Sequence, residues 1–396
     1  MWLALLLVAA VQVPSSAPLT LDQALRQARV ARGRPTIAAA GVAQARAERR
    51  FAGDIPHPTV SYEKTGDTPH QHLFVDESFS WLLTRGPDRA AASARIRRAQ
   101  ADSVQTIAEL VREVRIGFFD ALGANETLRL VAEQVGFSDS LTRIARARLG
   151  AGDISRLEYD QVAQDARRAQ QLLSETRETA RSAGATLGQA IGWTGAAPPV
   201  PSGALDLGLD YDSTLILRPL PDSVPAVRGA VADSVAAQLT LKSVQRGRLQ
   251  IPSLTAGAEW DSPDEPGKRL SFLGLAVAFP PWDFSRGELG QARARLARAG
   301  AEAQETRLEA ARALADARIR LEETAQRARF ARDSLLPAAR ELRLRAVAAY
   351  RAGETGVLPV LDALRSERDV VLEGVRDLQA FQAALARWRA LLGRLE

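Results

Sequence analysis

A constant offset of 201 residues ties the two halves of this chain together, and it restricts the fold more than any other feature. Arg85-Gly86 returns as Arg286-Gly287, Ala151-Gly152-Asp153 as Ala352-Gly353-Glu354, Leu157 as Leu358 and Gly192 as Gly393. The register holds from Gly86 to Gly192 without insertion, and Gly136 falls opposite Pro337, so both copies carry a helix-weakening residue at one place. A chain of this kind is one supersecondary unit used twice.

The first copy spans 18–193 and the second 226–396. Between them, 194–225 holds Pro198, Pro199, Pro201, Gly203, Pro219 and Pro221, the composition of an extended connection. Each copy reads in the same order. Short helices come first, over 21–31 and 35–51 in copy one and about 226–248 in copy two. Thr20 or Asp22 suits a cap and Pro35 a helix start. A β-hairpin follows, over about 58–83 and about 253–279. Two long helices close each copy, 87–149 with 154–191, and 288–350 with 357–393. At 1.5 Å per residue, the first of these is about 95 Å long, far beyond a globular helix.

Tyr159, Val162, Ala166, Ala169, Leu173 and Thr176 alternate spacings of three and four, as do Val357, Leu361, Leu364, Arg368 and Val371. These are heptad seams rich in alanine and polar residues, which pack helices side by side at short range. The helices alone fit either a channel wall or a plain antiparallel coiled coil.

The strands separate those readings. Val75, Glu77, Phe79 and Trp81 alternate on one face of the first hairpin; Leu254, Ala256, Ala258 and Trp260 do so in the second, followed by Leu273, Leu275, Val277 and Phe279. Period-two alternation marks strands with one apolar face. Phe79, Trp81, Trp260, Phe279 and Trp282 stand near strand ends, where a girdle of aromatics flanks a membrane band. Glu77 is a blemish on that face. Polar loops over 65–71 and 261–269 join the strands. Four strands cannot close a barrel, and open edges in a bilayer cost several kcal/mol per unpaired backbone group. Such a chain must assemble, and three copies supply twelve strands, an even number within the range of known barrels.

Composition excludes other classes. The chain has 396 residues and no cysteine, hence no disulfide framework, thiolate metal site or lipidated cysteine anchor. Its net charge of +5 comes from arginines interleaved with acids, as over 307–318, which marks a solvated helix face. No one-sign patch points to nucleic acid. Residues 1–17 read as an export signal, an apolar stretch followed by small residues, although the basic start is missing. Beyond it, no run of 18 apolar residues exists to form a helical span. His57, His70 and His72 gather around the first hairpin, but three histidines without cysteine are better read as solvated loop residues than as a metal site. No phosphate loop, metal-binding helix or nucleophile set indicates an enzyme, and no cofactor is implied.

At the level of motifs, the chain resembles the TolC-like outer-membrane efflux family. The resemblance rests on Leu19-Thr-Leu-Asp-Gln-Ala-Leu25, on the hairpin exit from Phe279 to Gly287, and on two glycine turns, Arg148 to Glu158 and Ala349 to Ala363. It implies a mainly α fold with a small transmembrane β part and an internal two-fold repeat. In a homotrimer the long antiparallel helices form an α-barrel, and four strands per protomer form a 12-stranded β-barrel in outer-membrane lipid. It implies partners as well, a periplasmic adaptor and an inner-membrane pump. By the same resemblance, Gly152, Asp153, Ile154, Gly353, Glu354 and Thr355 are adaptor-contact residues at the periplasmic tips. Glu158 and Tyr350 match a latch between helices, and Asp362 an acidic ring at the constriction. Thr355 and Pro359 depart from that pattern, where a basic partner and a second acid are absent. A periplasmic coiled-coil adaptor or scaffold without a channel is the competing reading.

Overall fold

The structure is a computed structural model that describes residues 18–64, 66, 71–210, 220–249, 251–262, 265–276 and 286–395. The export-signal reading of 1–17, His70, part of the linker, and Val277, Phe279 and Trp282 lie outside the described residues.

The elements follow the doubled order read from the sequence. Copy one gives α1 (Leu21–Ala31), α2 (Arg34–Phe51), β1 (Thr59–Lys64), β2 (Gln71–Ser78), α3 (Trp81–Ala151) and α4 (Arg156–Ile191). Copy two gives α5 (Pro225–Gly247), β3 (Ser253–Ser262), β4 (Glu265–Ala276), α6 (Arg286–Phe330), α7 (Leu336–Ala352) and α8 (Val357–Leu391). No helix among the described residues is long and apolar enough to cross a membrane.

Three boundaries differ from the sequence reading. β2 stops at Ser78, and α3 begins at Trp81 with Pro87 inside it. Here the amides of Leu82 and Leu83 donate to the carbonyls of Phe79 (3.0 Å) and Ser80 (3.2 Å), so a helical turn captures the chain where the alternation seemed to continue. Phe79 and Trp81 are therefore not strand residues. In the second hairpin the strands extend through most of the polar segment 261–269, which the sequence reading assigns to a loop, with Ser262 pairing Glu265. In the long helix of copy two, a π-helical turn, Ala331–Leu335, separates α6 from α7 directly before Pro337. Proline has no amide to donate, and the wider turn accommodates the missing bond. Gly136, its counterpart, keeps its amide, and α3 runs through it unbroken.

The chain forms two compact units, each taking segments from both copies. One comes from Met1–Pro35, Ile107–Pro219 and Ala313–Glu396, the other from Thr36–Thr106 and Leu220–Arg312. In the first, Leu110, Val114, Phe118 and Phe119 of α3 pack with Leu187 and Ile191 of α4 and with Leu25 and Ala28 of α1. Thr20 caps α1 through a reciprocal capping box with Gln23. Along α4 the buried positions include Val162, Ala166, Ala169, Thr176 and Ala180, the seam read from the heptads. The linker is tied to this unit: the Gln382 amide donates to the carbonyls of Leu205 (2.9 Å) and Leu207 (2.8 Å), and Leu19 bridges Pro201.

The second unit holds one antiparallel sheet in the order β1-β2-β3-β4. Its central pair joins strands of different copies, β2 to β3, from Gln71↔Trp260 to Ser78↔Ser253. On α5, Asp233 is paired by Arg98 of α3 at 2.7 Å.

Candidate functional site

Two places in the molecule carry the sequence-derived site residues, the sheet and the pair of helix-end turns. In the sheet, register decides which side chains share a face. Val60, Leu73, Val75, Ala256, Ala258, Leu254, Leu273 and Leu275 fall on one side, with Tyr62 and Trp260. This puts Val75, Leu254, Trp260, Leu273 and Leu275 together as the alternation predicts. The face is open: Leu273 and Leu275 are 73% and 74% exposed, and Val60 64%. Contiguous apolar surface of this kind marks a contact with lipid or another protein. Its charged members sit at the ends, Lys64 and Arg269 at one and Glu77, opposite Leu254, at the other, and Ser271 lies one row in beside Ala258. Glu77 thus stands in the last row of this face, beside Leu254 and Leu275.

The opposite face is polar with aromatic inserts. Ser61, Glu63, His72, Asp76, Thr255 and Glu259 share it with Phe74 and Phe272. His72 stacks on Phe74 at 5.6 Å between ring centroids, and its Nδ1 lies 3.5 Å from Glu259 Oε1. The Phe272 ring covers Gly257, where a Cβ would collide with it at 2.4 Å. Among the described residues, no group of three or more histidine and acidic side chains could hold a metal ion. His72 belongs to this wall, and His57 is exposed ahead of β1.

The two turns are copies of each other in atomic detail. Gly152 and Gly353 have φ of 83° and 80°, in the left-handed region. The amides of Gly152 and Asp153 donate to Leu149 (3.1 Å) and Arg148 (2.9 Å); those of Gly353 and Glu354 donate to Tyr350 (3.1 Å) and Ala349 (3.0 Å). Both are Schellman motifs, which need a residue that tolerates positive φ. Gly152, Asp153, Gly353, Glu354 and Thr355 are exposed, while Ile154 packs against the cluster below. The other half of each connection differs. Ser155 caps α4 in a capping box with Glu158, whereas its counterpart Gly356 gives α8 no side-chain cap.

Beneath the turns, Tyr350 is 2% exposed among Leu141, Val162, Val360 and Leu361. Its hydroxyl has no hydrogen-bond partner among the described residues. The Glu158 carboxylate accepts from the Ser155 amide at 2.8 Å. Glu158 and Tyr350 therefore do not form a latch within the chain, because helix capping holds the one and apolar packing the other. Arg148 makes the link to Tyr350 instead, lying 4.8 Å from its ring centroid and donating to its carbonyl at 3.3 Å. Asp362 is exposed and stands 3.6 Å from Arg365, which also meets the buried Asp165 at 3.2 Å.

Sequence reasoning gave four residues here no role at the site. Asp165 and Arg148 carry no signal beyond an ordinary helix pattern. Leu157 and Leu358 are 67% and 53% exposed, one just after each turn, and their recurrence at the constant offset was the available clue.

A four-stranded sheet with one open apolar face, fused through continuous helices to glycine-turned hairpins in two copies, is the fold of the TolC-like outer-membrane channels. No family model matches the chain. A curated relative, the cobalt-zinc-cadmium resistance protein CzcC of Cupriavidus metallidurans, is 26% identical over 389 residues, 96% of this chain and 91% of that protein. Among solved structures, a membrane protein from Pseudomonas aeruginosa aligns with TM-score 0.74 at 19% identity, over 94% of this chain and 92% of that one. The outer membrane protein VceC of Vibrio cholerae aligns with TM-score 0.70 at 18% identity, over 95% and 97%.

Proposed function

We propose that this chain is the outer-membrane exit duct of an efflux or type I secretion system, conducting cargo passively from periplasm to exterior. The observation that carries the reading is the sheet: β1 and β4 are edges, and one face is apolar and open. In a bilayer those edges need sister strands. A homotrimer supplies them as a 12-stranded barrel, with Val75, Leu254, Trp260, Leu273 and Leu275 toward lipid and the His72–Glu259 face toward the lumen.

The chemistry is electrostatic and steric, with no bond made or broken. Pumping energy comes from an inner-membrane partner, and a periplasmic adaptor seats on the turns at Gly152–Ile154 and Gly353–Thr355. Leu157 and Leu358 give that seat apolar contact. Three copies of Asp362 form an acidic ring, and carboxylate rings favour cations. Arg365 beside each Asp362 softens that field. The name of the Cupriavidus relative makes divalent metal ions the first cargo class to test.

Fractionation and planar-bilayer recording test the reading. The duct requires detergent extraction, chemical cross-linking to a trimer, and discrete conductance steps from the purified chain alone. A salt-extractable, non-conducting protein would instead be a coiled-coil scaffold.

A further inference from the structure

In the unit that holds α1, a cleft of about 790 Å³ is lined by Arg26, Arg29, Arg115, Arg389 and Arg394 and, among the described residues, by one acid, Asp22. Four of these arginines, Arg26, Arg29, Arg115 and Arg394, thus share one concavity with a single described acid. Like charges brought together repel, and an apolar-lined or half-buried site strengthens the repulsion.

Arg115 is the telling member. It projects from α3 with 9% of its surface exposed, and its Nε is sealed from solvent without a hydrogen-bond partner among the described residues. Burial first, and the neighbouring Arg389 charge second, lower its guanidinium to about 10, with Asp22 opposing. A buried guanidinium with one donor unmet, beside a like charge, is costly unless something anionic completes it. Arg29 spends one donor on the Leu395 carbonyl at 2.8 Å. Arg26 and Arg29 stand one helical turn apart on α1 and face the cleft together.

We propose that this cleft binds a multiply charged oxyanion of the phosphate or sulfate class, with Arg115 as its buried anchor. Planar guanidinium groups meet such oxyanions through paired N–H donors, a geometry that a single ammonium cannot give. The same chemistry is offered by a free inorganic anion and by a phosphorylated headgroup, and the site is independent of the duct reading.

The test uses the full chain purified in detergent, titrated at constant ionic strength with inorganic phosphate, sulfate or chloride, followed by calorimetry and thermal unfolding. Phosphate and sulfate should bind saturably and raise Tm while chloride does neither. Arg115→Gln should weaken phosphate binding about tenfold or more, the loss of a charge-assisted pair. Because Arg115 is buried, Arg394→Gln at the cleft's edge serves as a second variant, which should weaken binding with its helical circular dichroism intact. A parallel titration with short-chain phosphatidic acid distinguishes the sources: binding of that lipid without binding of inorganic phosphate, lost in both variants, assigns the site to a headgroup. The proposal falls if the wild-type chain binds none of these saturably, or if both variants bind as wild type does. It falls equally if Arg115→Glu alters only association between copies, which would make the cleft a seat for a sister chain's carboxylates.

Discussion

The Arg148 guanidinium lies across the Tyr350 ring, 4.8 Å from its centroid, and donates to the Tyr350 carbonyl at 3.3 Å. These two residues come from the last turns of α3 and α7, one from each copy, so the contact fastens one hairpin end to the other. Arg148→Gln should lower the unfolding free energy by about 1–2 kcal/mol through loss of the cation–π contact and the hydrogen bond. Limited proteolysis at the two turns should accelerate in the same variant.

Tyr350 itself separates packing from polarity. Its ring is enclosed by aliphatic residues and its hydroxyl is unpartnered. Tyr350→Ala should cost about 3–5 kcal/mol as a large-to-small core change. Tyr350→Phe should change stability by less than about 1 kcal/mol, since no hydrogen bond is lost with the hydroxyl. A large loss in the Phe variant, measured by denaturant unfolding, would restore the latch role to that oxygen.

The capping asymmetry makes opposite predictions for equivalent positions. Ser155 caps α4 by accepting from the Glu158 amide, while Gly356, 201 residues on, gives α8 no side-chain cap. Ser155→Ala should destabilise by about 1 kcal/mol. Gly356 has φ −71° and ψ 178°, open to any residue, and a Cβ there comes only within 3.7 Å of Glu158. Gly356→Ser should therefore stabilise by about 0.5–1 kcal/mol, through a new cap and reduced unfolded-state freedom. Thermal unfolding of the two variants side by side checks the signs.

How far this was legible in the sequence depended on what each feature rests upon. The 201-residue offset located both glycine turns, and positive φ at Gly152 and Gly353 is a backbone demand that glycine announces in advance. Strand alternation located the apolar face because side-chain direction in a strand has a fixed period. It failed at Phe79 and Trp81, where the pattern continues for one more period although the hydrogen bonds have already turned helical. The join of β2 to β3 was not legible, since which hairpin edges meet is a tertiary choice. The capping role of Glu158 rests on the Ser155–Glu158 spacing, a capping box that the latch reading of Glu158 did not use.

The sheet predicts opposite tolerance on its two faces. Leu275 stands on the apolar side and Thr255 on the polar side, where its hydroxyl bonds Asp76. Leu273→Arg, one row further in on the same face as Leu275, should cost about 2–4 kcal/mol if that face meets lipid. Thr255→Ser, which keeps the hydroxyl, should leave assembly unchanged. Resistance of the trimer band to detergent on unheated gels reports the difference, and equal assembly of both variants would remove the lipid assignment.

Leu157 and Leu358 give the most direct test of the tips, because most of each side chain is open to solvent. Each follows its glycine turn by five residues and lies in the first turn of the returning helix, with 67% and 53% of its surface open. Surface substitutions away from packed sites usually shift stability by less than about 0.5 kcal/mol. The double variant Leu157→Asp with Leu358→Asp should therefore fold, assemble and conduct as the unaltered chain does. If the turns seat an adaptor, burying two carboxylates where leucines fitted costs several kcal/mol, and pull-down of the adaptor should fail. Efflux in cells would then be lost while bilayer conductance persists, a separation that no folding defect produces. Retained efflux in that variant would move the adaptor's seat away from these turns.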